Sequence, residues 1–191
     1  MSCLCCCFSF CEAPYVERVL SDRSCLEGRF VGGTGFGTRS FNVIEAREVF
    51  KTWTGSFKDY RLHEEGSIEF NTGRMLEGVF EKGFLVRGKD TLKDGTVLQG
   101  VFENCQLVSG SITSKSGIFL QGVFESGMLV KGMSKSLDGI TREGIFKKGK
   151  LVEGKKTLDN GFVFEGKFED EYLVEGTVTS PNGRVNVVSL L

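Results

Sequence analysis

The sequence predicts an all-β chain: an elongated single-sheet solenoid of stacked β-hairpins with a repeat of about 22 residues, preceded by a short N-terminal helix. Three observations predict it. Gly-x-Phe recurs as Gly78-Val79-Phe80, Gly100-Val101-Phe102, Gly122-Val123-Phe124, Gly144-Ile145-Phe146 and Gly166-Lys167-Phe168, with successive glycines 22 residues apart. Leu-Val-x-Gly keeps the same period, from Leu85-Val86-Arg87-Gly88 to Leu173-Val174-Glu175-Gly176. A turn signal follows each copy: Asp94-Gly95, Ser116-Gly117, Asp138-Gly139, Asn160-Gly161 and Asn182-Gly183.

Each unit therefore reads as strand, tight turn, strand, tight turn. Asp-Gly and Asn-Gly suit a two-residue hairpin turn in which both central residues have positive φ. The first strand alternates, so Leu98, Gly100 and Phe102 share one face while Val97, Gln99 and Val101 share the other. The Gly-x-Phe face is expected inside, because a Phe ring can lie over the bare glycine backbone of a neighbouring repeat. Val108 and Gly110 are expected to share a face of the second strand. One such unit cannot offset its own ordering entropy, so neighbouring units must stack.

Composition agrees. The 191 residues include 26 Gly and 17 Phe but only 2 Pro, which is unlike a disordered low-complexity chain. The net charge of −1 offers no global field for nucleic acid, and no apolar run approaches the roughly 20 residues of a membrane span. No Lys or Arg precedes the apolar N-terminal stretch, so it does not read as a secretory signal.

The regular array covers 53–183, with a degenerate region at 26–52 and a closing strand at 184–191, all preceded by a Cys-rich segment at 1–25. Gly55-Ser56-Phe57 and Gly66 match the repeat with one extra residue before Gly78, and Gly28-Arg29-Phe30 begins a first copy. Phe41 to Trp53 reads either as an inserted helix or as an elongated strand pair. Pro14 to Leu20 is expected to form the short helix that caps the array.

Glu77-Gly78-Val79-Phe80-Glu81-Lys82-Gly83-Phe84-Leu85-Val86-Arg87-Gly88, followed by Asp94-Gly95, resembles the MORN (membrane occupation and recognition nexus) repeat. That repeat has an aromatic-x-Gly-x-aromatic strand, a Gly-containing turn and a second Gly-bearing strand. Here Phe or aliphatic residues stand at the usual Trp or Tyr positions, and the second strand keeps a single Gly. A related repeat of bacterial toxin-antitoxin proteins has a similar pattern. The resemblance implies a sheet with a groove along one face, roles in scaffolding and membrane-junction organisation, and phosphoinositide binding in some members.

No catalytic constellation is readable, and the chain is expected not to be an enzyme. The single histidine, His63, sits beside Glu64 and Glu65 and reads as a solvated turn residue without a nucleophile and orienting acid around it. Gly32-Gly33-Thr34-Gly35-Phe36-Gly37 lacks the Gly-Lys-Ser/Thr ending of a phosphate loop and reads as repeat turns. Glu77, Glu143 and Glu165 form an outward column with Gln99 and Gln121. No cofactor, metal or small-molecule substrate is expected.

Three features carry the binding expectations. Cys3, Cys5, Cys6, Cys7 and Cys11 cluster near the N-terminus, with S-palmitoylation, a soft-metal thiolate site or an inert tail all open. Lys131, Lys135, Lys147, Lys148, Lys150, Lys155 and Lys156, with Arg142, give the segment 131–159 a surplus of four positive charges, which suits anionic lipid head groups or an ordinary solvated face. Val79, Val101, Val123 and Ile145 form an apolar column opposite the Gly/Phe layer, which is a partner groove if uncovered and core if covered. The expected function is a protein-binding scaffold. The alternative is a membrane-associated module anchored through the cysteines, and the expected location is the cytoplasm, including the cytoplasmic face of a membrane.

Overall fold

At the glycines that mark the period, a Cβ would meet the backbone of the neighbouring strand. The computed structural model describes residues 13–41 and 50–189. These residues are all-β, in sixteen strands: β1 Tyr15–Val19, β2 Cys25–Val31, β3 Thr34–Ser40, β4 Phe50–Lys58, β5 Arg61–Phe70, β6 Met75–Glu81, β7 Phe84–Thr91, β8 Val97–Glu103, β9 Gln106–Thr113, β10 Phe119–Glu125, β11 Met128–Lys135, β12 Thr141–Lys147, β13 Lys150–Thr157, β14 Val163–Glu169, β15 Tyr172–Thr179 and β16 Val185–Ser189. The chain divides into two compact units, 1–93 and 94–191. Within each unit every strand pairs antiparallel with the next one in sequence, β1 to β7 in the first and β8 to β16 in the second.

In the second unit the register sets Gly100, Gly110, Gly122, Gly132, Gly144, Gly154, Gly166 and Gly176 side by side across eight strands. The first unit has the same ladder from Gly28 to Gly88. Gly122 shows why the residue is needed. Its φ is +147°, and a Cβ there would lie against the carbonyl oxygen of Lys131 and 2.8 Å from the Cα of Gly132. An L side chain is excluded by conformation and by space together. Valine closes each ladder: Val16 opposes Gly28 in the first unit and Val188 opposes Gly176 in the second.

The core is a row of Phe and Leu beside the ladder. Phe102, Leu107, Phe124, Leu129, Phe146, Leu151 and Phe168 are buried in the second unit, and Phe30, Phe57, Leu62, Phe80 and Leu85 in the first. The Gly-x-Phe face is thus the inner one. The Phe30 ring lies against Gly28 and Gly37 of its own hairpin and packs edge-on to Phe57 at 5.5 Å.

The second strand departs from simple alternation. Phe102 pairs with Leu107 while Val101 pairs with Ser109, leaving Val108 as an extra residue in a β-bulge. The same shift recurs in the hairpins β6/β7, β10/β11, β12/β13 and β14/β15. The bulge changes the phase of the strand, so Leu107 shares the inner face with Gly110 and is the buried residue, with Val108 half-buried. The expectation that Val108 and Gly110 share a face is corrected accordingly. In β4/β5, Phe57 pairs with Leu62 and Gly55 with Gly66, which gives two extra residues and accounts for the additional residue before Gly78. Glu64 there has φ +64°. His63 therefore lies in the bulge of a strand and not in a turn.

The turns also differ from expectation. The two-residue turns with both φ positive are Asp59-Tyr60, Lys82-Gly83, Asn104-Cys105, Ser126-Gly127, Lys148-Gly149 and Asp170-Glu171. The Asp-Gly and Asn-Gly pairs sit at the other end of the strands. In Ser136 to Ile140, the Gly139 N–H donates to the Ser136 carbonyl at 3.1 Å, and only Gly139 has positive φ, +82°. This is a type I turn closed by a left-handed glycine. Asp138 is favoured because its Oδ1 accepts from the Ile140 N–H at 3.2 Å and the Ser136 hydroxyl at 2.6 Å. These bonds to the ionised form lower the Asp138 pKa, led by the one from Ser136.

The expected N-terminal helix is absent: 15–19 is β1, whose backbone pairs with β2 and places Tyr15 opposite Arg29. Pairing with the open edge of β2 satisfies backbone groups that an isolated short helix would leave to water. Phe50 and Trp53 lie in β4, as the strand-pair alternative for this region required, and 42–49 lie outside the described residues. Gly32-Gly33 is a hairpin turn, with the Tyr60 ring lying on Gly33, while Gly35 opposes Phe30 and Gly37 joins the ladder.

Two stability measurements check this account. Gly122→Ala should lower unfolding free energy by more than the backbone strain alone, about 1–3 kcal/mol. Gly127→Ala should lose only the turn strain, because no atom lies within 4 Å of its Cβ position. Equal losses in denaturant titration would refute the close approach at the ladder. Cys105, exposed at φ +62°, should stabilise when replaced by Gly, raising the melting temperature through about 0.5–1 kcal/mol of relieved strain.

Candidate functional site

The backbone of the ladder glycines is the floor of a shallow trough on the outer face. On the outer face, opposite the Phe/Leu row, the residues just before and after each glycine project on either side of the ladder. In the second unit one bank is Val101, Ser109, Val123, Lys131, Ile145 and Glu153, followed by Lys167 and Glu175. The other carries Gln99, Gln121, Met133, Glu143, Lys155 and Glu165. A depression of about 330 Å³ lies over Gly154, Gly166 and Gly176, lined by Glu153, Glu165, Lys167 and Glu175. The first unit repeats the arrangement: a depression of about 530 Å³ over Gly28 and Gly37 is lined by Tyr15, Glu27, Arg29, Phe36 and Thr38.

The apolar column lies on this outer face. Val101, Val123 and Ile145 are 36%, 45% and 47% exposed, so no second layer of the chain's described residues covers them. Val79, in the first unit, is half-buried. The Glu/Gln column stands on the opposite bank, with strand neighbours that the sequence spacing does not reveal. Lys89 Nζ reaches Glu77 Oε2 at 2.9 Å. Met133 stands between Gln121 and Glu143, and Lys155 between Glu143 and Glu165.

The seven lysines of the basic segment do not share one face. Lys147, Lys148 and Lys150 surround a single hairpin turn, and Lys150 pairs with Asp170 at 2.8 Å. Lys131 and Lys155 stand on opposite banks of the trough, and Lys135 ends β11 near the other set of turns. Lys156 points to the inner face, where its Nζ donates to the Glu171 carbonyl at 3.2 Å. Glu171 also accepts from Arg142 Nε at 3.1 Å. The cluster Cys3, Cys5, Cys6, Cys7 and Cys11 lies outside the described residues. Among the described residues no group of three His, Cys, Asp or Glu side chains is arranged to hold a metal ion.

The charged end of the trough was not singled out in the sequence. Lys167 Nζ contacts Glu175 Oε2 at 2.7 Å with both side chains about 60% exposed, and the hydrogen bond raises the lysine pKa. Glu143, Glu153 and Glu165 form no ion pair among the described residues. Their convergence depends on strand register, which places Glu153 beside Lys167 although 14 residues separate them. A signal was present in the sequence, because Glu153 and Glu175 occupy the same position of successive repeats.

No protein-family model matches the chain, and a search of curated proteins finds no match.

Proposed function

We propose that the chain is a non-catalytic binding module of the MORN type, which holds an extended segment of a protein partner in the glycine-floored trough of its outer face. The uncovered column Val101, Val123 and Ile145 beside the ladder carries this reading. Exposed aliphatic side chains aligned along a concavity favour a partner that removes them from water.

The width of the trough selects the partner's conformation. Its banks are the residues before and after each glycine, so their Cα atoms are two positions apart along a strand, about 6.6 Å. An α-helix with side chains is about 10–12 Å across and cannot sit between them. An extended chain is narrower and can lie along the exposed aliphatic side chains that border the glycine floor. The trough runs across the strands, so the partner crosses the sheet and does not add to its edge.

The test is selection of 12-residue peptides from a random display library on the intact chain. Peptides so selected should lose affinity by about tenfold or more, roughly 1.4 kcal/mol, on Val101→Glu and Val123→Glu variants that retain the wild-type melting temperature. Undiminished binding to both variants would refute the trough as the site.

A further inference from the structure

The two ends of the trough in the second unit differ in chemistry. Over β8 to β12 one bank presents Val101, Val123 and Ile145 with Lys131, facing neutral Gln99, Gln121 and Met133. Over β12 to β15 the banks present Glu143, Glu153, Glu165 and Glu175 against Lys155 and Lys167. Four carboxylates face two ammonium groups there. One lysine is already paired with Glu175, and the 330 Å³ depression lies between the acids.

From this gradient we infer that the partner segment is bipartite: aliphatic or aromatic side chains over Val101 to Ile145, and Lys or Arg over Glu143 to Glu175. The inference rests on the trough reading above and adds the chemistry of the ligand. Three of the four acids have no ion-pair partner among the described residues. An incoming cation therefore gains their attraction without displacing an existing bridge. The same excess of carboxylate repels an acidic peptide. Arginine suits the site best, because its guanidinium can pair with carboxylates through two parallel hydrogen bonds.

The dimensions set the length. From β8 to β15 is seven strand spacings of about 4.8 Å, or about 34 Å. A fully extended 12-residue segment spans about 40 Å. The aliphatic side chains of the wall stand two strands apart, about 10 Å, which matches three residues of a polyproline II segment at about 3.1 Å each, whose side chains return to the same side at every third position. Partner apolar residues should therefore recur at every third position and give way to basic residues beyond the apolar half.

The 12-residue library is the probe, selected in parallel on the wild-type chain and on Glu153→Lys/Glu165→Lys/Glu175→Lys. Circular dichroism and melting temperature confirm that the triple variant is folded. The wild type should enrich peptides with apolar residues at one end and Lys or Arg at the other, whose affinity falls at least tenfold between low and moderate salt. The triple variant should enrich Asp or Glu at the corresponding end. Enriched peptides that lose binding on Val123→Glu but show no basic bias, or the same bias on the triple variant, overturn the bipartite partner and leave the trough intact. Enriched peptides indifferent to Val123→Glu, or no enrichment, overturn both.

Discussion

The close approach of strands along the glycine ladders is the constraint on which the rest of the molecule depends. A residue with φ near +145° has its Cβ position against the opposing carbonyl, so the sheet can form this line only where side chains are missing. Two consequences follow from one requirement. On the inner face, a Phe ring can settle beside the ladder, as Phe30 does on Gly28 and Gly37. On the outer face the same line of backbone floors the trough, between the outward-pointing residues before and after each glycine. Core packing and the binding surface are therefore two sides of the same residues, and neither can be altered without affecting the other.

The bulge in the second strand of each regular hairpin is the second device. It inserts Val108 and its counterparts where the strand passes from the Phe/Leu row to the ladder. Without it, strict alternation would send Leu107 to solvent when Gly110 stood in the ladder. With it, both Leu107 and Phe102 join the core, and the hairpins β6/β7, β8/β9, β10/β11 and β12/β13 each contribute a buried Phe and a buried Leu at one level. In a sheet with one buried face, burial of about 1.5–3 kcal/mol per such side chain is the main return for ordering the unit.

Much of this was legible in the sequence because it repeats. Period, strand order, inner Phe face and outer Val column all follow from alternation counted from the glycines. The turns were harder. Asn-Gly and Asp-Gly suit both the two-residue turn and the type I turn with a closing glycine, and the choice depends on whether Asp138 accepts from the Ile140 amide. The bulge was hidden because Leu107 and Val108 are both aliphatic. The first hairpin was obscured because Gly35 replaces the usual Leu opposite Phe30 and because it has no bulge. Over β1, five residues carry too short a pattern to distinguish helix from strand, and only the neighbouring β2 decides. The acidic end of the trough needed register, since Glu143, Glu153 and Glu165 come from three different strands.

The valines at the ladder ends bear on how such a protein changes length over evolution. Val188 sits where the next glycine would stand, as Val16 does in the other unit. A repeat appended outside either strand would meet a valine side chain in place of the bare glycine that the inner strands offer one another. A hairpin duplicated between two existing ones would meet glycine on both flanks and present Phe and Leu at the right level. Internal duplication thus repeats the glycine-to-glycine contact on both flanks, and terminal addition does not. Unequal crossing-over within the coding sequence is the genetic route this architecture favours.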